Sequence, residues 1–331
     1  MKKFVTFLLL ACMMLSLAAC GSSGTEYKLG MGVSLSTDSS KENNAQVDAT
    51  VAAVVTDKDG KIVACRLDVA QSKMDVTGGA VDAAKTFKTK MELGDDYGMV
   101  AYGNAIAEWY DQAKAFESYV VGKTAAEVEG LETVVNDSGH NVSTDEALLA
   151  GCTMDITAFK AAVVKACNDE KGTTFTGKDF TLGVAAITAA DESTAATDSE
   201  DAQVKMYTEY AAAVVGKDGK ILAALTDATQ PKIAVDKNGQ ITGAEFKGTK
   251  RELGADYGMV AYGSAIAEWD AQAKAFADYT VGKTAAEVAG IETTVNDSGH
   301  NVTTDETLLA SCTMDVSGMI AVIALAANYA R

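Results

Sequence analysis

The sequence predicts an α+β protein made of two tandem repeats, each an antiparallel sheet followed by helices. Three observations carry that expectation. The stretch from Glu92-Leu93-Gly94 to Thr153-Met154-Asp155 recurs from Glu252-Leu253-Gly254 to Thr313-Met314-Asp315, with roughly three quarters of positions identical. The first half of each unit is rich in Val, Ala and Thr and is punctuated by hairpin turns, whereas the second half spaces its apolar residues at helical intervals. Strands and helices are thus segregated, as in an α+β domain made twice. Each unit is about 150 residues long, the size of a domain rather than of a solenoid repeat.

The chain begins with a basic head, Lys2-Lys3, and an apolar run from Phe4 to Leu15. Leu17-Ala18-Ala19-Cys20 follows, then Gly21. An apolar stretch too short to span stably, ending in small residues, reads as a secretory signal. The Cys directly after the small residues resembles the lipobox of exported bacterial lipoproteins. That resemblance implies a signal peptide over 1–19, a lipidated Cys20 with a flexible tether over 20–26, and a cell-membrane anchor on the extracytoplasmic face. Domains are expected over 27–170 and 176–331, with the seam among the charged, Gly and Thr residues from Asn168 to Thr176.

Within the first unit, Val47 to Val55 reads as a strand, Asp57-Lys58-Asp59-Gly60 as a hairpin turn, and Lys61 to Val69 as the return strand. The match to the second unit extends back into this region. Asp59-Gly60-Lys61-Ile62 aligns with Asp218-Gly219-Lys220-Ile221, Asp68 with Asp227, Gln71 with Gln230, Lys73 with Lys232, and Leu29-Gly30 with Leu182-Gly183. Asp236-Lys237-Asn238-Gly239 marks a further hairpin between Ile233 and Ile241. From Ala105 to Val120, residues Ile106, Trp109, Ala113, Phe116 and Val120 fall on one helical face, and Gly122 suits the helix end. Thr124-Ala125-Ala126-Glu127 and Thr284 to Glu287 are capping boxes, and Ser143-Thr144-Asp145-Glu146 opens another short turn. A last helix runs from about Asp155 through Phe159, Val163 and Cys167, matched by Ser317 to Tyr329.

Two segments of each unit resemble the FMN-binding domain of extracytoplasmic bacterial redox proteins. One is the hairpin Val51-Ala52-Ala53-Val54-Val55 with Asp59-Gly60-Lys61-Ile62. The other is Ala150-Gly151-Cys152-Thr153-Met154-Asp155-Ile156-Thr157, with Phe159-Lys160-Ala161-Ala162-Val163 behind it, and its copy Ala310-Ser311-Cys312-Thr313-Met314-Asp315-Val316-Ser317. The family pattern there is S-G-A-T-x-[ST]-S. The resemblance implies that Thr153 and Thr313 stand where FMN is carried through a phosphoester made by a flavin transferase, with membrane redox proteins as partners. It places Asp155 and Asp315 beside the phosphate, where the family prefers a hydroxyl. A threonine at the start of a helix would set a phosphate beside unpaired N–H groups. Trp109, Tyr97 and Tyr102, with Trp269, Tyr257 and Tyr262, are the candidates for stacking the flavin ring. The leading Ser is Ala in both units, and the small residue before the Thr is Cys.

The chain has 331 residues and is 48% hydrophobic, ample for packed cores. Its formal charge of −18 becomes −20 without Lys2 and Lys3, which excludes nucleic acid and anionic lipid headgroups as partners of the domains. Cys65, Cys152, Cys167 and Cys312 match no metal-binding spacing. They read as buried free thiols, with a Cys65–Cys167 bridge the alternative that an oxidising compartment allows. The only histidines, His140 and His300, sit in Asn-Asp-Ser-Gly-His-Asn, a turn signal before it is a metal motif. Glu108 and Gln112, four apart on one face, are expected on a solvated surface. Hydrolytic motifs are absent from the sequence. The resemblance to the FMN-binding domain implies an electron carrier with FMN in envelope redox. The alternatives are a non-enzymatic surface antigen or ligand-binding module that keeps the fold without flavin, and a carbohydrate or peptide binder.

Overall fold

The computed structural model describes residues 24–331, so the expected signal peptide over 1–19 and the expected lipidation at Cys20 lie outside the described residues. The fold is α+β and its sheets are antiparallel. The first sheet runs in the order Ile62–Asp75, Asn44–Thr56, Thr25–Ser36, Thr173–Gly177. The second runs Ile221–Thr229, Tyr207–Gly216, Phe180–Ala189. The expected seam contributes a strand: Thr173–Gly177 pairs with the first strand, Tyr27 opposite Phe175.

Alternation of side chains across each strand builds four layers. Leu29, Met31, Val33, Val51, Ala53 and Val55 meet Leu182, Val184, Tyr210, Ala212, Val214 and Leu225 between the two sheets. The other face of the first sheet, with Ala52, Val54, Cys65 and Leu67, packs on the helices Trp109–Val120 and Thr157–Cys167. The other face of the second sheet packs in the same way on Trp269–Thr280 and Ser317–Asn328. Strands buried on both faces read as near-continuous apolar runs, which is why Val51 to Val55 shows no polar alternation.

Small residues set how closely helix and sheet approach. A Cβ on Gly30 would fall 2.0 Å from the Ala166 carbonyl oxygen, and one on Gly183 would fall 1.9 Å from that of Ala326. The repeated Leu-Gly pair is therefore a helix seat in both sheets. At the far end the chains differ. The hairpin Asn44–Thr56 with Ile62–Asp75 is long, with a single bulge near its turn. Its counterpart breaks at Met206 and Pro231, the only proline, and resumes in a separate sheet of Ile241–Glu245, Lys232–Val235 and Ala202–Lys205. Proline has no N–H and a fixed φ, so it suits a strand boundary. A fourth apolar cluster joins the two halves there, from Ala45, Val47 and Met74 to Val204, Met206 and Ile233.

The expected hairpins at Gly60 and Gly239, the capping boxes at Thr124 and Thr284, and the Asp145 cap are all present. The helix expected from Ala105 instead starts at Trp109, and Ile106 is 57% exposed. Glu108 is its N-cap residue, and that carboxylate is engaged elsewhere. Among the described residues no helix is long and apolar enough to cross a membrane.

Candidate functional site

The site grows from a compact loop. A capping box at Thr89 and Glu92 opens the turn Lys90–Leu93, and the buried Asp68 carboxylate accepts from the Met91 N–H at 3.1 Å. Asp227 holds the Arg251 N–H at 3.0 Å in the same manner. Burial pushes Asp68 and Asp227 up to about 6, against the pull of their N–H donors. A 3-10 turn, Gly94–Tyr97, leads to the short helix Met99–Gly103. Glu108 reaches back and accepts from the Met99 and Val100 N–H groups at 2.9 and 3.0 Å, filling two of the helix's orphan donors. Glu268 does so for Met259 and Val260.

This loop is strained and open. Asn104 and Ser264 both sit at φ 52°, a left-handed conformation that costs a side-chain-bearing residue energy. Gly98 is also left-handed, and a Cβ there would fall 2.5 Å from the Tyr102 ring, so the glycine lets that ring lie on the backbone. Tyr102 and Tyr262 are each 91% exposed, flanked by Val100 and Ile106 and by Val260 and Ile266, all about half exposed.

A buried glutamine ties the loop to the motif threonine. Gln112 is fully buried; its Nε2 donates to the Ala107 carbonyl at 2.8 Å, and its Oε1 accepts from the Thr153 N–H at 2.9 Å and the Thr153 hydroxyl at 3.3 Å. Gln272 makes the same bonds to Ala267 and Thr313 at 2.7, 2.9 and 3.4 Å. The expected solvated face is thus corrected: Gln112 is a strut, and Glu108 a helix cap. The signal was in the sequence, because position 112 lies on the same helical face as Trp109, Ala113 and Phe116, where a polar residue must find an internal partner.

The other expected residues divide. Thr153 and Thr313 are half-buried, but neither stands at a helix tip; the helices begin at Thr157 and Ser317. The first helical N–H is taken by Asp155 at 2.8 Å, which also accepts from the Asn141 N–H at 2.8 Å. Asp315 binds Ser317 and Asn301 likewise. Burial opposes the charge on Asp155 and Asp315, yet these donors outweigh it and hold both carboxyls below the usual range. Trp109 and Trp269 are core residues, 2% and 5% exposed, with Trp109 edge-on to Phe159 at 5.9 Å, so they offer no free stacking face. Tyr97 and Tyr257 are half-buried beneath Lys90 and Lys250, whose ammonium groups lie 4.7 and 4.8 Å from the ring centroids. Tyr257 also lines a cleft of about 350 Å³ with Lys232, Phe246 and Lys247. His140 and His300 are exposed in Asn-capped turns, and among the described residues no cluster suits a metal ion.

A flavin meets a partial fit here. Esterifying the Thr153 oxygen would remove only its long bond to Gln112, since the Thr153 N–H keeps that acceptor. Tyr102, Val100 and Ile106 supply an apolar surface on the loop that the same glutamine holds. Asp155 already occupies the first helix N–H, that of Thr157, so a phosphate there would meet a carboxylate.

No protein-family model matches the chain. A curated relative named chlorophenol reductase, from Desulfitobacterium hafniense, is 34% identical over 103 residues, covering 27% of this chain and 32% of the relative. The match thus spans about a third of that relative's length. A solved exported protein with a YmcC-like fold, from Bacteroides fragilis, aligns over 69% of this chain and 96% of its own at 8% identity, with a TM-score of 0.12; no shared fold follows from that value.

Proposed function

We propose that this chain is a lipid-anchored, extracytoplasmic electron carrier made of two FMN-binding-like units. Each unit holds a flavin at Thr153 or Thr313, with the ring against the Tyr102 or Tyr262 loop. The observation that carries the reading is the strained, open loop tied through a fully buried glutamine to a half-buried threonine, with the same bonds in both units. A loop that is strained and presents Val100, Tyr102 and Ile106 to solvent fits a ligand surface better than a scaffold. The flavin would supply one- and two-electron chemistry. The chain's own residues position it: Gln112 and Gln272 fix the threonine segment, and Glu108 and Glu268 shape the loop. The relative's name, a reductase, supports a redox role.

A second reading is a ligand-binding module without flavin. It is favoured by Asp155 and Asp315, which fill the helix ends with the chain's own carboxylates. Expression in an exporting host with a flavin transferase and FMN separates the two. The first reading expects a yellow protein whose flavin is quenched on the tyrosine loop. A colourless protein with no affinity for added flavin supports the second.

A further inference from the structure

The cleft of about 350 Å³ in the second unit has a buried cation in its wall, Lys250. This lysine is only 8% exposed, and lysines are rarely buried without a counter-ion. Yet it forms no ion pair among the described residues. Its ammonium donates to the Tyr207 hydroxyl at 3.2 Å, and the ring centroids of Tyr207, Tyr257 and Trp269 lie 4.6, 4.8 and 5.4 Å from the nitrogen. Such faces hold a cation without neutralising it. Glu209, two residues from Tyr207 on the same strand face, feels this charge, but burial pushes it up to about 7, so at neutral pH it is only about half ionised. Lys232 is exposed and also makes no ion pair, whereas Lys247 pairs with Glu245 at 3.0 Å. Around the cleft, Lys232, Lys247 and Lys250 outnumber Glu245 and Asp256 by one charge, on a chain of formal charge −18. The first unit keeps Lys73, Lys90, Asp96 and Tyr97 at the places of Lys232, Lys250, Asp256 and Tyr257. It differs in two respects. Asp48 stands where Tyr207 does, and its carboxylate accepts from the Gln71 amide at 2.8 Å. The second unit also inserts Gly248, at φ 141°, between Phe246-Lys247 and Thr249-Lys250, and Phe246 lines the cleft where Phe87 packs into the fourth apolar cluster.

We propose that this cleft binds a small carboxylate with a flat aromatic body, its charge met by Lys232 and Lys250 and its ring by Phe246 and Tyr257. Lysine ammonium groups act as point charges, so the site selects for charge and leaves shape to the rings. The positive excess is a single charge, which suits a monoanion better than a phosphate carrying nearly two. The site belongs to the second unit. In the first, Asp48 supplies a carboxylate where the second has a tyrosine, and Phe87 is spent on the core. No flavin at Thr313 is needed for it.

The test is calorimetric titration of sodium benzoate into the full chain prepared without flavin, which keeps its outcome separate from that of the flavin reading. One benzoate should bind per chain. Benzyl alcohol, which lacks the charge, and acetate, which lacks the ring, should not bind, and inorganic phosphate should bind at least about tenfold more weakly. Lys232→Ala and Phe246→Ala alter exposed and half-buried side chains. Each should weaken benzoate binding about three- to tenfold without lowering the melting temperature. Lys250→Met should abolish binding in folded protein, and Lys73→Ala, the equivalent of Lys232→Ala in the first unit, should leave it unchanged. No saturable benzoate binding, phosphate bound as tightly as benzoate, affinity that survives Lys232→Ala and Phe246→Ala combined, or a loss in Lys73→Ala would each overturn the proposal.

Discussion

The strand-rich and helix-rich stretches of the two sequence-matched units agree unequally. Across the strands the units keep only scattered matches, one hairpin is continuous where the other breaks at Pro231, and Thr50 in the first unit stands where the second has Glu209. Across Gly98 to Trp109 and Gly258 to Trp269 they differ at one position, Asn104 against Ser264, and both residues hold φ 52°. Apolar cores tolerate volume-conserving exchange, so the sheets drift. Exposed loops ordinarily drift faster still. The exposed turn Val135 to Val142 is unchanged in Val295 to Val302 as well, so the second half of each unit as a whole is better matched than its strands.

The sharpest way to break the comparison is at the helix seats. Gly30→Ala and Gly183→Ala should each cost at least about 3 kcal/mol, because the new Cβ meets a backbone oxygen that cannot turn away. Denaturant unfolding checks this, and equal losses in the two units mean equal seats. The next effect is confined to the second unit. A Cβ on Gly318 would fall 1.5 Å from the Glu209 carboxylate, whereas the first unit pairs Thr50 with Ala158. Gly318→Ala should be destabilising alone and tolerated beside Glu209→Thr, with a coupling of about 1–3 kcal/mol in a double-mutant cycle.

Titration comes third: the shared acids should treat the units alike, whereas Glu209, pushed up to about 7 by burial, adds a titration to the second unit only. Asp68 and Asp227 have folded values of about 6, above the unfolded carboxylate range. Between about pH 4 and 6 the folded chain therefore holds protons that the unfolded chain has lost. Their contribution to stability grows as pH falls from 7 toward 5, on the order of 2 kcal/mol for each acid. Asp68→Asn and Asp227→Asn should flatten that part of the stability–pH curve. The smallest effect on folding lies at the loop. Tyr102→Ala and Tyr262→Ala should change stability by less than about 0.5 kcal/mol while exposing any bound flavin to solvent quenchers.

Much of the architecture was legible in local chemistry. The capping boxes, the Asp-Gly and Asn-Gly turns and the final helices each follow from residues adjacent in sequence. The edge strand Thr173–Gly177 was less visible, because its pairing with Thr25–Ser36 spans about 150 residues and leaves no local pattern. The site was half legible. The motif placed Thr153 and Asp155 near one another, yet the helix begins two residues past Asp155 because that carboxylate takes the Thr157 N–H. Trp109 carries the same helical signal whether it packs inward or faces a ligand, and the core claimed it. Tyr102 was the exposed ring because Gly98 has no Cβ to displace it.

Peptide mass mapping of the exported protein, made beside a flavin transferase and supplied with FMN, tests the central proposal most directly. The account predicts an FMN phosphoester on the peptides carrying Thr153 and Thr313, each lost separately in Thr153→Val and Thr313→Val. Unmodified peptides at both threonines, from folded protein made under those conditions, would contradict it.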